Sequence, residues 1–344
     1  MRTLASPEDR PLTGLGESTP LRLLLLFVIL VFAATLSLGS GPAALPVATI
    51  FDSLTGRGDA VNRAILIDLR LPRTALALVA GGGLALSGAV FQALLRNPLA
   101  DPYVLGVSGG AAVGAVVATI AGLVQVASWS LPLAAFAGAV MAIALVFLIA
   151  AGAGRSFDTR ILLLAGVIIG AFFNAVILAL LTFADIESFR SAVFWMMGSL
   201  GTASWSTSAL AAAYVLPLSA TVIALARALN LLALGDETAL FLGTPVERVK
   251  IAAYLLASLI VAAAVAACGV IGFVGLIVPH GLRMIWGSDH RFLLPASFLA
   301  GAAFLLLADT AARTLAAPAE LPVGVITALV GVPLFVVILL RSKR

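Results

Sequence analysis

The feature that most constrains this chain is a succession of about ten apolar stretches, each near twenty residues long, with the charge confined to short segments between them. A helix needs about 20 apolar residues to cross the hydrocarbon core, where its backbone must satisfy its own hydrogen bonds. The stretches lie near 21–39, 74–95, 107–126, 131–152, 161–183, 207–227, 249–267, 271–287, 292–309 and 323–340. Only 10% of the 344 residues are charged, against about 25% in a soluble domain. The expected fold is therefore an all-α polytopic membrane protein with about ten transmembrane helices.

The intervals are not alike. Segments 40–69 and 184–206 carry Pro, Gly, Ser and Trp and are expected as surface loops with short amphipathic pieces. Segment 228–248 has Leu and Ala at helical spacing, but also Asp236, Glu237, two glycines and Pro245. It is too broken and too charged to span, and two short helices outside the membrane are expected there. Residues 1–20 are polar, mixed in charge, and too long and acidic for a signal-peptide start. They are expected as a cytoplasmic tail before a domain covering 21–344. With the N-terminus inside, 14 of the 20 Lys and Arg fall on the cytoplasmic side and 6 on the other. That bias favours an even number of spans, both termini cytoplasmic, and 228–248 in the cytoplasm.

Several chemistries are disfavoured. The two lysines, Lys250 after Val249 and Lys343 after Ser342, do not supply the Gly-Lys-[Ser/Thr] of a phosphate-binding loop. The single Cys268 and the distant His280 and His290 offer no ligand spacing for a metal, so neither metal nor cofactor is expected. The basic balance reads as cytoplasmic loops rather than nucleic-acid binding. An ion-coupled carrier would place ionisable groups near the bilayer midplane. Asp309 is the exception to otherwise empty spans, and four residues before Arg313 it reads as a local ion pair. The energy source is then a cytoplasmic partner, docked on 228–248. The glycines in the spans, Gly81, Gly82, Gly83 and Gly88 in one and Gly166 and Gly170 in another, read as close helix packing.

Several long motifs now stand in order: RLPRTALALVAGGGLALSGAVFQALLRNPLADPYVLGVSGGA from Arg70, LLLAG from Leu162, FWMMGSLG from Phe194 and LLALGDETALFLG from Leu231. GFVGLIVPH from Gly272, HRFLLP from His290, LLLADTAAR from Leu305 and ELPVGVITALVG from Glu320 complete the set. Together they resemble the FecCD-type permeases of binding-protein-dependent ABC importers. The resemblance implies a type II ABC importer permease architecture and a homodimer with its pathway on the two-fold axis. It also implies two cytoplasmic ABC ATPase subunits, one periplasmic substrate-binding protein, and a place in the bacterial inner membrane. The chain would be a non-catalytic subunit carrying a large metal chelate, cobalamin or a ferric siderophore ahead of haem. The rival from another class is a stand-alone ion-coupled secondary carrier.

The resemblance also assigns residues. Arg70, Arg73 and Arg313 would pair with carboxylates of the binding protein on the outer face; Arg70 and Arg73, flanking Pro72 just before the second span, also read as interfacial anchors. Leu234, Gly235, Asp236, Glu237, Leu240, Phe241, Leu242 and Gly243 would form the coupling segment that meets the ATPase. Asp236 and Glu237 would either cap the second short helix or meet basic groups there. Asn97, Leu99, Asp158, Thr159 and Leu164 would narrow the cytoplasmic mouth, although Pro98 and Asp158 also read as a helix stop and an N-cap. Arg160 departs from that pattern, since a small polar residue suits a gate better. Trp195 and Trp205 read as interfacial belt residues and His280 as a packing histidine.

Overall fold

The structure is a computed structural model that describes residues 19–41, 45–127, 129–152 and 159–342. Among these residues it contains helices and no strand. In chain order the helices are α1 (Thr19–Gly39), α2 (Val47–Leu54), α3 (Ala60–Ala64), α4 (Leu71–Leu94), α5 (Val107–Ile120), α6 (Leu123–Val126), α7 (Ser130–Gly152) and α8 (Thr159–Thr182). They continue as α9 (Ile186–Met196), α10 (Trp205–Ala224), α11 (Ala226–Ala233), α12 (Asp236–Phe241), α13 (Val246–Cys268), α14 (Val274–Trp286), α15 (His290–Thr314) and α16 (Val323–Ser342). A 3-10 turn, Pro102–Leu105, precedes α5.

Among the described residues, seven helical stretches are long and apolar enough to cross a membrane, and three shorter apolar helices, Val107–Ile120, Val274–Trp286 and Val323–Val337, accompany them. These ten coincide with the ten stretches in the sequence. The polar interval 228–248 holds the end of α11 and all of α12, two short helices as expected. The interval 184–206 holds α9, whose start is capped by Asp185 accepting from the backbone N–H of Glu187 and Ser188.

The interval 40–69 departs from expectation. Residues 60–64 are α-helical, Ile65–Arg70 form a π-helical turn, and α4 follows without a break, so 60–94 is one continuous helical stretch. Pro72 causes no interruption because it stands at the start of α4, where the N–H it lacks is not needed. Arg70 and Arg73 therefore lie within a helix, not in a loop before one.

This stretch is the hub of the bundle. Of its apolar window, 89% is buried, against 17% for α1. α4 packs against α15, α13, α10 and α14. In lipid no hydrophobic force draws helices together, so contact depends on close backbone approach through small residues. A Cβ on Gly81 would lie 2.5 Å from the Gly301 carbonyl oxygen, and one on Gly88 would lie 1.8 Å from that of Gly275. The same device joins α5 to α7, where a Cβ on Gly110 would stand 2.3 Å from the Gly138 oxygen. α8 lays Gly166 and Gly170 against Gly106 at the start of α5, with a Cβ on Gly106 3.3 Å from the Gly166 oxygen. α1 is peripheral and exposes Phe27, Val28 and Phe32, as a lipid-facing helix would.

Candidate functional site

Among the described residues, the buried charged side chains, Arg70, Asp309, Arg313 and Lys250, lie near the two ends of α4. At its first end, Arg73 donates through Nη2 to Asp309 Oδ1 at 2.9 Å and through Nη1 to Glu320 Oε2 at 2.9 Å. Asp309, with 1% of its side chain exposed, also accepts from Arg313 Nε at 3.1 Å, one turn along α15. Arg313 spends its remaining donors on the Ser40 and Ser37 carbonyls, at 3.0 and 3.1 Å, and Arg70 donates to Leu38 O. The cluster ties α1, α4, α15 and the segment before α16 together. The expected i,i+4 pair of Asp309 and Arg313 is present, within a larger network.

The sequence placed Arg70, Arg73 and Arg313 on an open outer face. The structure buries Arg70 and Arg313 at 7% and 5% exposure and occupies all three with the chain's own acceptors. The reason is electrostatic: a cation at the rim of an apolar bundle keeps its charge only against a carboxylate or carbonyl. The carboxylate that reaches the surface, Glu320, is half-exposed.

At the other end of α4 the chain turns at Arg96, in the left-handed region with φ 47°. Its guanidinium donates to the Leu232 carbonyl at 3.0 Å, at the end of α11, and to Asp236 at the start of α12. Lys250, buried near the start of α13, donates to the second oxygen of Asp236. One carboxylate thus joins α4, α12 and α13. Four residues before Arg96, Gln92 Nε2 donates to the Leu276 carbonyl at 3.0 Å while its Oε1 accepts from Arg283 Nη1 at 2.9 Å. α11 is fixed separately to the start of α15, where Asn230 donates to Asp289 at 2.7 Å and accepts from the His290 backbone N–H.

α12 carries the most exposed apolar group at this end. Phe241 is 90% exposed, and Leu234, Leu240 and Leu242 are exposed beside it. Gly235 and Gly243 bracket the helix with φ of 117° and 81°, conformations open to glycine. Glu237 is exposed, whereas Asp236 is taken by Arg96 and Lys250.

Of the residues expected at the inner mouth, Asn97 folds back so that its Oδ1 accepts from the Leu99 N–H at 2.9 Å, and Leu99 is exposed. Leu164 is 60% exposed on α8, which packs against α5, α7 and the Pro102–Leu105 turn. Thr159 opens α8, and Asp158 lies outside the described residues. An open apolar groove of about 570 Å³ runs between Met196, Met197 and Val270 on one side and Leu329, Val332 and Pro333 of α16 on the other.

Sequence reasoning passed over Glu320, Arg96, Lys250, Gln92, Arg283, Asn230 and Asp289. A signal was available: in a chain with so few charges, every carboxylate near a span end requires a partner, and Asp236 stands 14 residues before Lys250, on the same side of the positive-inside count.

Comparison with known proteins follows the same lines. The FecCD transport family matches residues 28–341. The chain is 43% identical over 328 residues to the hemin transport system permease protein HmuU of Yersinia pestis, covering 93% of this chain and 95% of that protein. It is 41% identical over 325 residues to the vitamin B12 import system permease protein BtuC of Shigella boydii, covering 94% and 95%. A solved structure named as an inward-facing conformation of a metal-chelate type ABC transporter superposes with a TM-score of 0.86 at 36% identity, covering 94% of this chain and 99% of that one. The ten apolar helices, the hub helix α4 and these matches along nearly the whole length place the chain in the FecCD transport family.

Proposed function

We propose that this chain is the membrane subunit of an ATP-driven importer, working as a homodimer with two cytoplasmic ABC ATPase subunits and one periplasmic binding protein. The observation that carries this reading is α12. A contiguous exposed apolar group marks an interface, and Phe241, Leu240, Leu242 and Leu234 form one on a helix too short and too charged at its start to enter lipid. The chain lacks a phosphate-binding loop, so hydrolysis belongs to the partner that covers this surface. Leu234–Gly243 is the coupling segment, and Arg96 and Asp236 mark the cytoplasmic end of the bundle, with both termini on that side of a bacterial inner membrane.

The opposite end faces the binding protein. Arg70, Arg73 and Arg313 stand together there, with Asp309 shared by Arg73 and Arg313 and Glu320 beside Arg73. A weak, steered encounter with an acidic partner suits a group of three arginines at that end. Arg73 is the contact point, because its Glu320 partner is half-exposed, while Arg70 and Arg313 support it. Asn97, Leu99, Asp158, Thr159 and Leu164 narrow the inner mouth, and a second copy meets the exposed faces of α8 and α16 beside the apolar groove. Hydrolysis in the partner shifts the dimer between outward-open and inward-open states. The cargo is a large metal chelate: cobalamin, a ferric siderophore or haem. Relatives named for haemin and for vitamin B12 match at nearly equal identity, which supports the class rather than one member of it.

The test is purification of the tagged chain from its native membrane, then uptake of labelled cyanocobalamin, ferrichrome and haemin into proteoliposomes with the co-purified proteins. Recovery of an ABC ATPase that is lost on Phe241→Asp, with ATP-dependent uptake of one probe, supports the reading. Uptake by the chain alone under an ion gradient overturns it in favour of a secondary carrier.

A further inference from the structure

We infer that Arg96 is the positioning residue that transmits force from the ATPase surface on α12 to the inner end of α4. This deepens the proposed function and rests on its reading of α12.

α12 is held to the bundle by few contacts of its own. It is six residues long, flanked by glycines with positive φ at Gly235 and Gly243, and one of its residues, Ala239, is buried. Such a helix has little packing of its own to carry a push into the bundle. Its polar tether is Asp236, whose two oxygens are taken by different elements: Oδ1 by Arg96 beyond α4, and Oδ2 by Lys250 in α13. Arg96 also grips the last turn of α11 through two donors to the Leu232 carbonyl, at 3.0 and 3.3 Å. One guanidinium therefore holds both short helices at once.

Two further observations make Arg96 more than a surface ion pair. Its backbone sits at φ 47°, a left-handed conformation unfavourable for a side-chain-bearing residue, which persists where surrounding contacts over-determine it. That conformation breaks α4 and sends the chain into Asn97–Leu99, so the residue that grips α11 and α12 is also the residue that shapes the turn after the hub helix. Behind it, Gln92 is buried and locked to both the Leu276 carbonyl and Arg283 of α14. A displacement of α12 is thus delivered to α4 and α14 together. α4 is packed closely through backbone contacts at Gly81 and Gly88, and interiors packed this closely transmit strain rather than absorb it.

Arg96→Gln is the cleaner test, because Asp236→Asn would strand Lys250, whose side chain is 8% exposed, whereas Arg96 is 46% exposed. The full-length chain in lipid nanodiscs, with and without its ATPase, is followed by hydrogen–deuterium exchange. In the wild type the ATPase slows exchange over 234–242 and, by about tenfold, over 95–100. In Arg96→Gln the ATPase still binds and still protects 234–242, but the effect on 95–100 is lost; Arg96→Lys recovers part of it. The inference is overturned if Arg96→Gln shows the wild-type response over 95–100, if the wild type shows none there, or if Arg96→Gln no longer holds the ATPase. Phe241→Asp separates the two claims: an ATPase that stays bound to it overturns the α12 surface and the inference with it, whereas loss of the ATPase from Phe241→Asp together with a wild-type response in Arg96→Gln overturns the Arg96 link alone.

Discussion

Arg73 and Asp309 lie 236 residues apart and form a two-pronged ion pair, with Nη2 to Oδ1 at 2.9 Å and Nε to Oδ2 at 3.1 Å, across the α4–α15 contact. Asp309 is shared with Arg313 and has 1% of its side chain exposed. Replacing it by Asn leaves two cations facing one neutral group. Removal of one partner from a buried pair is destabilising by about 3–5 kcal/mol. Asp309→Asn is therefore expected to unfold well below the wild type in a detergent thermal melt. Glu320→Gln removes a half-exposed partner of the same Arg73, and exposed pairs are worth about 0–1 kcal/mol. A Glu320→Gln melt as low as that of Asp309→Asn would contradict this division.

The small-residue contacts give a graded series. A Cβ on Gly88 lands 1.8 Å from the Gly275 carbonyl oxygen, and one on Gly301 lands 2.4 Å from that of Gly81. Neither obstacle is a flexible side chain, so α4 must separate from α14 or α15. Overpacking of this kind costs about 1–3 kcal/mol or more. A Cβ on Gly170 meets nothing nearer than 3.9 Å. Gly88→Ala and Gly301→Ala are expected to lower the melting temperature and Gly170→Ala to leave it nearly unchanged. The comparison by melting in one detergent checks all three.

The ten apolar helices are legible in the sequence because lipid allows a backbone few alternatives to the helix over such runs. The two short helices at 228–248 are legible for the converse reason, since Asp236 and Glu237 forbid insertion. Which helix becomes the hub is harder to read. Gly81–Gly83 and Gly88 announce close packing, but not that Gly301 and Gly275 are the surfaces they meet. The continuation of α4 back to Ala60 is hidden by Asp59, Asn62 and Asp68, whose polarity resembles that of a loop. The rim arginines were expected at an outer face from the resemblance, and the pair of Asp309 with Arg313 was legible at i,i+4; the pair of Asp309 with Arg73 was not, because the two lie 236 residues apart and pattern reading sees only near neighbours. Glu320 and Arg96 were missed for the same reason.

The tie between α11 and α15 has a pH signature. Burial pushes the Asp289 carboxyl up, but hydrogen bonds from Asn230 and the Arg291 N–H, with the charge of Arg291, outweigh it and hold the group below the usual carboxylate range. A carboxylate with a depressed folded value stabilises the fold above its unfolded value of about 3.9, and that contribution is lost as pH falls through the folded value. The wild type is expected to lose stability relative to Asp289→Asn as pH falls from about 6 to about 3. Asn retains the capping oxygen that accepts the Arg291 N–H, so the difference isolates the charge. Parallel melting curves for the two chains across this range would contradict it.

Tyr103 closes the path between α13 and α14. Its hydroxyl donates to the Ile271 carbonyl at 2.9 Å and accepts from the Ile271 N–H at 3.1 Å. Ile271 lies between Gly269, with φ 70°, and Phe273, with φ 69°, a left-handed residue that bears a bulky side chain. The linker therefore has no ladder of its own, and one phenol satisfies both backbone groups of its central residue. Phe in place of Tyr103 keeps the ring and strands a buried donor and acceptor, each costing about 1–3 kcal/mol. Local opening is expected before global unfolding, because the rest of α13 and α14 keeps its packing. Hydrogen–deuterium exchange over 269–273 should rise in Tyr103→Phe while exchange in the body of α13 stays as in the wild type. The linker also forms one wall of the apolar groove through Val270. A Tyr103→Phe chain whose 269–273 amides remain as protected as the wild type's would show that the contacts of Gly269 with Trp195 and Gly198, rather than the phenol, hold this wall in place.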